Sequence, residues 1–220
     1  DLSTWIVEAP EPTWINAREE VKNLNEADLL SFMEELWADK LDDHKLLANK
    51  SIWRSFPTIR CENWSHENVV LIGDALHTAH YSIGSGTKLA MEDAIALYRA
   101  FEKTENVSDA LAIFEKARRT EVEVIQHSAD VSVVWTENAN RYWEMEAIQA
   151  AYSMLTRSKQ ITHENLRLRD AAFIENVEAW FAGDADVPKN TPPMFLPFKL
   201  RDMIIKNRVV VSPMDMYMSQ

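Results

Sequence analysis

The sequence predicts a helix-rich α+β fold, and three observations carry that reading. Beyond residue 87 the apolar residues follow a 3.6-residue period for most of the chain. Before it, Asn68-Val69-Val70-Leu71-Ile72 is a short continuous apolar run of the kind a buried strand shows. The chain of 220 residues, 46% hydrophobic and 26% charged, lies in the globular range and can build a sizeable core, which excludes disorder and collagen.

The elements follow in order. Thr4-Trp5-Ile6-Val7-Glu8, bounded by Pro10 and Pro12, reads as a strand. Asn25 and Asp28 form a capping-box-like start for a helix carrying Leu29, Leu30, Phe32, Met33, Leu36 and Trp37 at helical spacing. Ser51 to Ile59 reads as extended with Trp53 and Phe56 buried, and the run at 68–72 as a central strand. Helices are expected from Thr87 to about Lys103, from a Ser108 cap through about Glu137, from about Glu144 to Arg157, and after a Thr162 cap. Ala110, Ile113, Phe114, Ala117, Val124, Ile125, Ser128 and Ala129 supply the apolar period of the longest one, and Trp5, Trp37, Trp53 and Trp135 are read as core. The Pro-rich, polar stretch from Gly183 to Pro193 resembles an interdomain linker, after which Leu200 to Met203 and Val209 to Met214 read as a hairpin or first strand. No repeat or low-complexity tract occurs.

Charge narrows the function. With 23 basic and 35 acidic residues the net charge is −12, which repels nucleic-acid backbones and anionic bilayers, so neither nucleic acid nor membrane is expected as a partner. A single cysteine, Cys61, cannot form an internal disulfide and has no identifiable activating partner, and no run of about 18 apolar residues exists to span a bilayer. The chain reads as soluble and cytoplasmic. Its opening, Asp1-Leu2-Ser3-Thr4-Trp5, has neither an initiator Met nor a signal-peptide pattern and reads as a piece of something longer.

Only four glycines occur, and three of them, Gly73, Gly84 and Gly86, fall within one short segment. Glycine is needed where φ is positive or where the backbone must approach something closely, so the cluster suggests a ligand contact, with a plain turn as the alternative. The order is strand, Gly73-Asp74, a loop through His77-Thr78-Ala79-His80-Tyr81-Ser82-Ile83, Gly84-Ser85-Gly86, then a helix beginning at Thr87. Backbone N–H groups at a helix start can stabilise a phosphate or an electron-rich ring, and Asp74 can accept hydrogen bonds from sugar or ribityl hydroxyls.

Gly73-Asp74-Ala75-Leu76-His77, with Gly84-x-Gly86 and Met91-Glu92-Asp93-Ala94 behind it, resembles the second FAD fingerprint of the class A aromatic hydroxylases, the p-hydroxybenzoate hydroxylase-like flavoproteins. Ser82 through Ala94, and Leu155-Thr156-Arg157-Ser158 with Ile161 through Arg169, resemble more narrowly the bifunctional salicylyl-CoA 5-hydroxylase and 2-aminobenzoyl-CoA monooxygenase/reductase group. In that group an Old Yellow Enzyme-like barrel follows, and Phe198-Lys199-Leu200 through Tyr217 is similar to its opening strand. The resemblance implies a partial FAD/NAD(P)-binding domain of the glutathione reductase-like Rossmann type with a C-terminal helical bundle. Residues 1–183 would be the C-terminal portion of the monooxygenase domain, 184–197 a linker, and 198–220 the truncated first strand of an FMN barrel.

The implied activity is hydroxylation of an aromatic or aryl-CoA substrate by a flavin C4a-hydroperoxide, with FAD as cofactor and NADH or NADPH as reductant. Asp74 would meet the ribityl chain, Gly73 would be a cofactor-binding residue beside it, and the backbone of Gly84, Ser85, Gly86 and Thr87 would face the flavin pyrimidine end. FMN would touch the backbone at Ser212, Pro213 and Met214. The broad family has prolines where His80 and Tyr81 stand and an Asn where Lys88 stands, so the flavin edge is lined differently here. The first, Gly-rich fingerprint for the ADP half is absent from the sequence, so a missing N-terminal FAD-binding portion, or self-association, is the expected partner.

His77 and His80 at i, i+3 suggest a metal pair, but no third ligand converges on them and no metal is expected. His80 is a candidate for substrate orientation or proton transfer, with a structural role as the alternative, and Tyr81 is a candidate substrate contact. Arg157, Lys159, Arg167 and Arg169 form the one basic cluster. Arg157 and Arg169 are candidates for the phosphates of a CoA substrate, surface salt bridges being the alternative. The contrasting readings are a non-catalytic helical interaction domain and a fragment of an ene-reductase.

Overall fold

The structure is a computed structural model that describes residues 2–20, 25–48, 50–188 and 191–211, so the barrel-like stretch from Ser212 to Tyr217 lies outside the described residues. The chain forms two compact units, Asp1–Glu137 and Asn138–Gln220.

In the first unit, helices α1 (Glu11–Glu20), α2 (Glu26–Leu36) and α3 (Ala38–Leu41) precede a small antiparallel hairpin, β1 (Ser65–His66) with β2 (Val69–Val70). Two 3-10 turns, Gly73–Ala75 and Tyr81–Ile83, lead to α4 (Gly86–Phe101) and the long α5 (Val107–Glu137). Asn25 caps α2 as expected, its Oδ1 accepting from the Asp28 amide at 2.9 Å. Helix α5 starts one residue before the expected Ser108 cap, and Asn106 is the cap, accepting from the Asp109 amide at 3.1 Å.

Several expected strands do not form. Residues 4–8 and 51–59 carry no strand, because among the described residues no ladder partner lies beside them. Only Arg60 makes an antiparallel bridge, to His77. The run at 68–72 is not a central strand: β2 pairs with β1 alone, and Val69, Leu71 and Ile72 are exposed. Phe56, expected in the core, is 60% exposed, and Trp5 is exposed as well. Trp53 is half-buried and stacks on Trp14 at 4.2 Å, while Trp37 and Trp135 are also only half-buried. The buried tryptophan is Trp64.

Trp64 lies in a core with Leu76, Leu89, Ala100, Ala110, Phe114 and Val122. The loop between α4 and α5 is short, so the two helices form an αα-hairpin and bury facing stripes. On α5 the buried stripe is Ala110, Leu111, Phe114, Arg118, Val122, Gln126, Ala129 and Ser132, while Ala117 and Val124, read as apolar-face residues, are exposed. The helical period holds, but its axis is rotated so that Arg118 and Gln126 face inward.

The second unit holds α6 (Ala147–Thr156), α7 (His163–Arg169), α8 (Ala171–Ala182), a 3-10 turn Pro193–Phe195 and the hairpin β3 (Phe198–Leu200) with β4 (Met203–Ile205). Helix α6 begins later than expected, at Ala147. Thr162 caps α7 as expected, and Asp170 caps α8 through the Phe173 amide at 2.9 Å. The hairpin turns at Arg201-Asp202, and Val209 to Val211 form no strand. The segment read as a linker is packed at its far end: Leu196 is buried, the Arg208 amide donates to the Met194 carbonyl at 2.8 Å, and the Arg208 guanidinium lies over Phe181 and Phe198 at 4.6 and 5.1 Å. No described helix is long and apolar enough to cross a membrane.

The centre of the first unit is polar. The fully buried Asp93 carboxylate on α4 accepts from the Gly73 amide at 3.0 Å, from His77 Nε2 at 2.7 Å and from Arg118 Nε at 3.0 Å. Arg118 also reaches Glu92 at 3.2 Å and Glu121. Burial pushes the Asp93 carboxyl upward, but the donors His77, Gly73 and Arg118 together hold it below the ordinary value of 3.8. A depressed folded pKa stabilises the native state fully above the unfolded value and loses that stabilisation as pH falls through the folded value. Asp93→Ala should cost about 3–5 kcal/mol in urea unfolding, because it strands Arg118 and His77 in the core. The acid limb of the stability profile, below pH 3.8, should flatten in Asp93→Asn when followed by circular dichroism.

Candidate functional site

The segment from Gly73 to Gly86 runs from the hairpin to the start of α4, and its inward atoms are tied down one after another. Gly73 adopts φ +58°, which turns the chain out of β2, and a Cβ there would stand 3.1 Å from the Ala90 Cβ of α4. Its carbonyl accepts from the Leu76 and His77 amides, each at 2.9 Å, closing the turn and placing Leu76 in the core. His77 is a buried ring held by Asp93, and among the described residues no group of three His, Cys, Asp or Glu side chains converges as metal ligands would.

The next stretch lies antiparallel to residues 59–61. The Cys61 amide donates to the Leu76 carbonyl at 3.2 Å and the Thr78 amide to the Ile59 carbonyl at 3.1 Å. Gln126 of α5 clamps both segments, its Nε2 donating to the Ile59 and Thr78 carbonyls at 2.8 Å each. Further along, Ser82 Oγ donates to Ser132 Oγ of α5 at 3.1 Å, and the Gly84 amide closes the second turn onto the Tyr81 carbonyl at 2.9 Å. Gly84 has φ +64°, and no atom lies within 4 Å of a Cβ built on Gly84 or Gly86.

The outward side is left open. Asp74, expected at the end of a buried strand, sits instead in the exposed 3-10 turn, and its carboxylate has no hydrogen-bond partner among the described residues. No side chain caps α4, since Ser85 Oγ turns back to the Ile83 carbonyl at 3.4 Å, and its first turn contains no acidic residue. A 16-residue helix thus presents its positive end, with Thr87 exposed, beside a backbone that glycines keep bare. Lys88 is paired with Glu92 one turn on. This is a donor set and a cradle that fit an anionic or electron-rich ring together with a hydroxylated chain.

His80 and Tyr81 stand at the middle of the loop. His80 Nδ1 accepts from the Ser82 amide at 3.3 Å, and its ring stacks on Tyr81 at 4.3 Å. Tyr81 meets Phe56 edge-on at 5.1 Å. Burial, and then the hydrogen bond to the Glu8 carboxylate, push the Tyr81 phenol up to about 12.

The basic cluster lies in the other unit, and one of its charges, Arg167, is committed to ion pairs there. Arg167 pairs with Glu178 at 2.5 Å and with Glu164 at 3.3 Å, and the Glu178 bond raises its pKa. Arg157 donates to the Met154 carbonyl at 2.7 Å, at the end of α6, while Arg169 is exposed. His163 joins this brace, bonding Tyr152 at 3.0 Å and Glu178 at 3.1 Å. The cluster is thus partly the salt-bridged surface that its alternative reading described.

Sequence reasoning missed Asp93, Arg118, Gln126 and Ser132 as the holders of the loop. A signal was present: Asp93 falls on the Leu89–Ala96–Ala100 stripe, and Arg118 on the Phe114–Val122 stripe, each a charge where the period demands an apolar residue. Gly73→Ala should lower stability by about 1–3 kcal/mol in thermal or urea unfolding, since the left-handed backbone and Ala90 both oppose a Cβ.

Residues 14–159 match the FAD binding domain family. The chain is 38% identical over 209 residues to a salicyloyl-CoA 5-hydroxylase of a Streptomyces species, a match covering 90% of this chain and 40% of that protein. It is 48% identical over 103 residues to a 3-hydroxy-4-methyl-anthranilyl-[aryl-carrier protein] 5-monooxygenase of Streptosporangium sibiricum, covering 47% of this chain and 29% of the relative. A protodeoxyviolaceinate monooxygenase of Chromobacterium violaceum is 30% identical over 161 residues, covering 73% and 43%. The chain thus spans less than half the length of these relatives. With an uncapped helix start, a bare glycine turn and a partner-free carboxylate inside the matched segment, the chain belongs to the FAD binding domain family.

Proposed function

We propose that the chain is part of a flavin-dependent monooxygenase that hydroxylates an aromatic ring, most readily one carried as an aryl-CoA thioester, with NADH or NADPH as reductant. The observation that carries this reading is the open segment from Gly73 to Thr87: the exposed Asp74 carboxylate and the uncapped start of α4, both held by buried anchors. FAD, when bound, supplies the oxygen-activating redox chemistry. Asp74 accepts from ribityl hydroxyls, and the backbone of Gly84, Ser85, Gly86 and Thr87 faces the pyrimidine edge, where the helix terminus favours negative charge. His80 and Tyr81 orient the substrate beside the ring. Similarity to proteins named for salicyloyl-CoA and aryl-carrier substrates supports the acyl class, and Arg157 and Arg169 are its candidate phosphate contacts. The same similarity weighs against a non-catalytic helical domain.

The finer domain reading belongs here too. Residues 1–183 form the monooxygenase portion, 184–197 a linker, and 198–220 the opening of an Old Yellow Enzyme-like FMN barrel. The portion carrying the ADP half of the site, of Rossmann type, covers the exposed apolar residues Val69, Leu71 and Ile72 of the hairpin and Met91, Ile95 and Tyr98 of α4. Without it the chain self-associates and binds FAD poorly.

Two measurements test this. In the full-length protein Asp74→Ala should weaken FAD binding by about 1.5–3 kcal/mol, read by fluorescence titration, and unchanged affinity would remove Asp74 from the site. The full-length protein should release one FAD and one FMN per chain on denaturation, and FAD alone would remove the barrel.

A further inference from the structure

The ring edge of His80 carries more information than its position. Its Nδ1 accepts a hydrogen bond from the Ser82 backbone amide at 3.3 Å, and a backbone amide can only donate, so Nδ1 must present its lone pair. The proton of the neutral imidazole then sits on Nε2, which has no protein partner among the described residues and belongs to a half-buried, accessible ring. A neutral imidazole in this tautomer has no second lone pair to offer. It can donate from Nε2, but it cannot take a proton without breaking the bond that sets the second turn.

The rings beside it form a wall. His80 lies nearly parallel to Tyr81, at 4.3 Å and 28°, and Phe56 meets Tyr81 edge-on at 5.1 Å and 70°. Phe56 is 60% exposed although it comes from a segment with the composition of a core strand, and Tyr81 is 37% exposed. Three contiguous rings, His80 and Tyr81 from the loop anchored by Gln126 and Ser132 and Phe56 from the segment before it, are a preformed surface for a planar ring. The Tyr81 hydroxyl keeps its proton and donates it in a hydrogen bond to Glu8, which leaves the phenol oxygen's lone pairs free to accept.

We infer that Phe56, Tyr81 and His80 form an aromatic wall that receives the substrate ring, and that His80 acts on it as a fixed Nε2–H donor to a ring-borne or carbonyl oxygen, not as a proton-abstracting base. Phe56 sets the fit of the ring. This deepens the hydroxylase reading and rests on it for the identity of the ligand, but the tautomer and the wall belong to this chain alone.

The test uses the full-length protein with salicyloyl-CoA as probe. Two-bond nitrogen–carbon correlation spectra should show His80 as the Nε2–H tautomer, and an Nδ1–H tautomer overturns the inference. By calorimetry, His80→Ala and Phe56→Ala should each weaken probe binding at least about tenfold, while His80→Gln, which keeps a donor and cannot titrate, should bind within about threefold of the parent. His80→Gln should keep most of kcat with no loss of rate between pH 6 and 8 beyond that of the parent. Unchanged binding in His80→Ala, or in Phe56→Ala, overturns the donor or the wall respectively, and a His80→Gln variant as inactive as His80→Ala makes His80 a base. Absence of probe-dependent NAD(P)H oxidation in the unsubstituted protein would instead overturn the hydroxylase reading, and the spectra still decide the tautomer.

Discussion

A carboxylate with no access to water is the constraint around which the first unit is arranged. Leaving Asp93 ionised in the core demands donors at short range, and the three it finds come from three different parts of the chain: the Gly73 amide at the head of the loop, the His77 ring within it, and Arg118 on the neighbouring helix. None of these groups can move away without stranding charge. The bonds therefore fix the spacing of α4 and α5, the exit angle of the chain from β2 and the path of the loop in one step. Burying such a network yields little net stability over an apolar core of equal volume, and what it supplies is a single geometry.

That geometry divides the loop into an inner and an outer side. On the inner side Leu76 fills the core, Gln126 donates to the Ile59 and Thr78 carbonyls, and Ser132 accepts from Ser82 at the second turn. On the outer side the Asp74 carboxylate has no partner among the described residues, the start of α4 has no side-chain cap, and open space lies beside Gly84 and Gly86. A site with free donors and acceptors is costly to hold in place by its own contacts, so the holding is done from beneath, by side chains of a long rigid helix.

The second unit spends its charges differently. Tyr152, His163, Arg167 and Glu178 tie three short helices together, and the helices are too short to be stable without such ties. Arg208, lying on Phe181 and Phe198, fastens the terminal hairpin to α8 in the same way. Basic residues that look in the sequence like a patch for an anion are thus, in part, internal fasteners: Arg167 pairs with Glu178 of the next helix and with Glu164 of its own, and Arg157 folds back on the Met154 carbonyl at the end of α6.

The amino-acid sequence by itself determined what depends on near neighbours. Helix spacing, the caps at Asn25 and Thr162, and the glycine-flanked loop before α4 are all local, since an amphipathic period, a capping oxygen and a positive φ act within a few residues. The family resemblance was carried by that same local segment. Tertiary structure decided what depends on partners distant in the chain. Whether residues 51–59 and 68–72 become strands turns on which ladder lies beside them, and Phe56 faces outward while Trp64 and Leu76 fill the core. Likewise a lone Asp in one apolar stripe and a lone Arg in another are unremarkable singly. Only the packing of α4 on α5 makes them one buried pair, because the cost of an isolated charge in the core leaves no other arrangement for either.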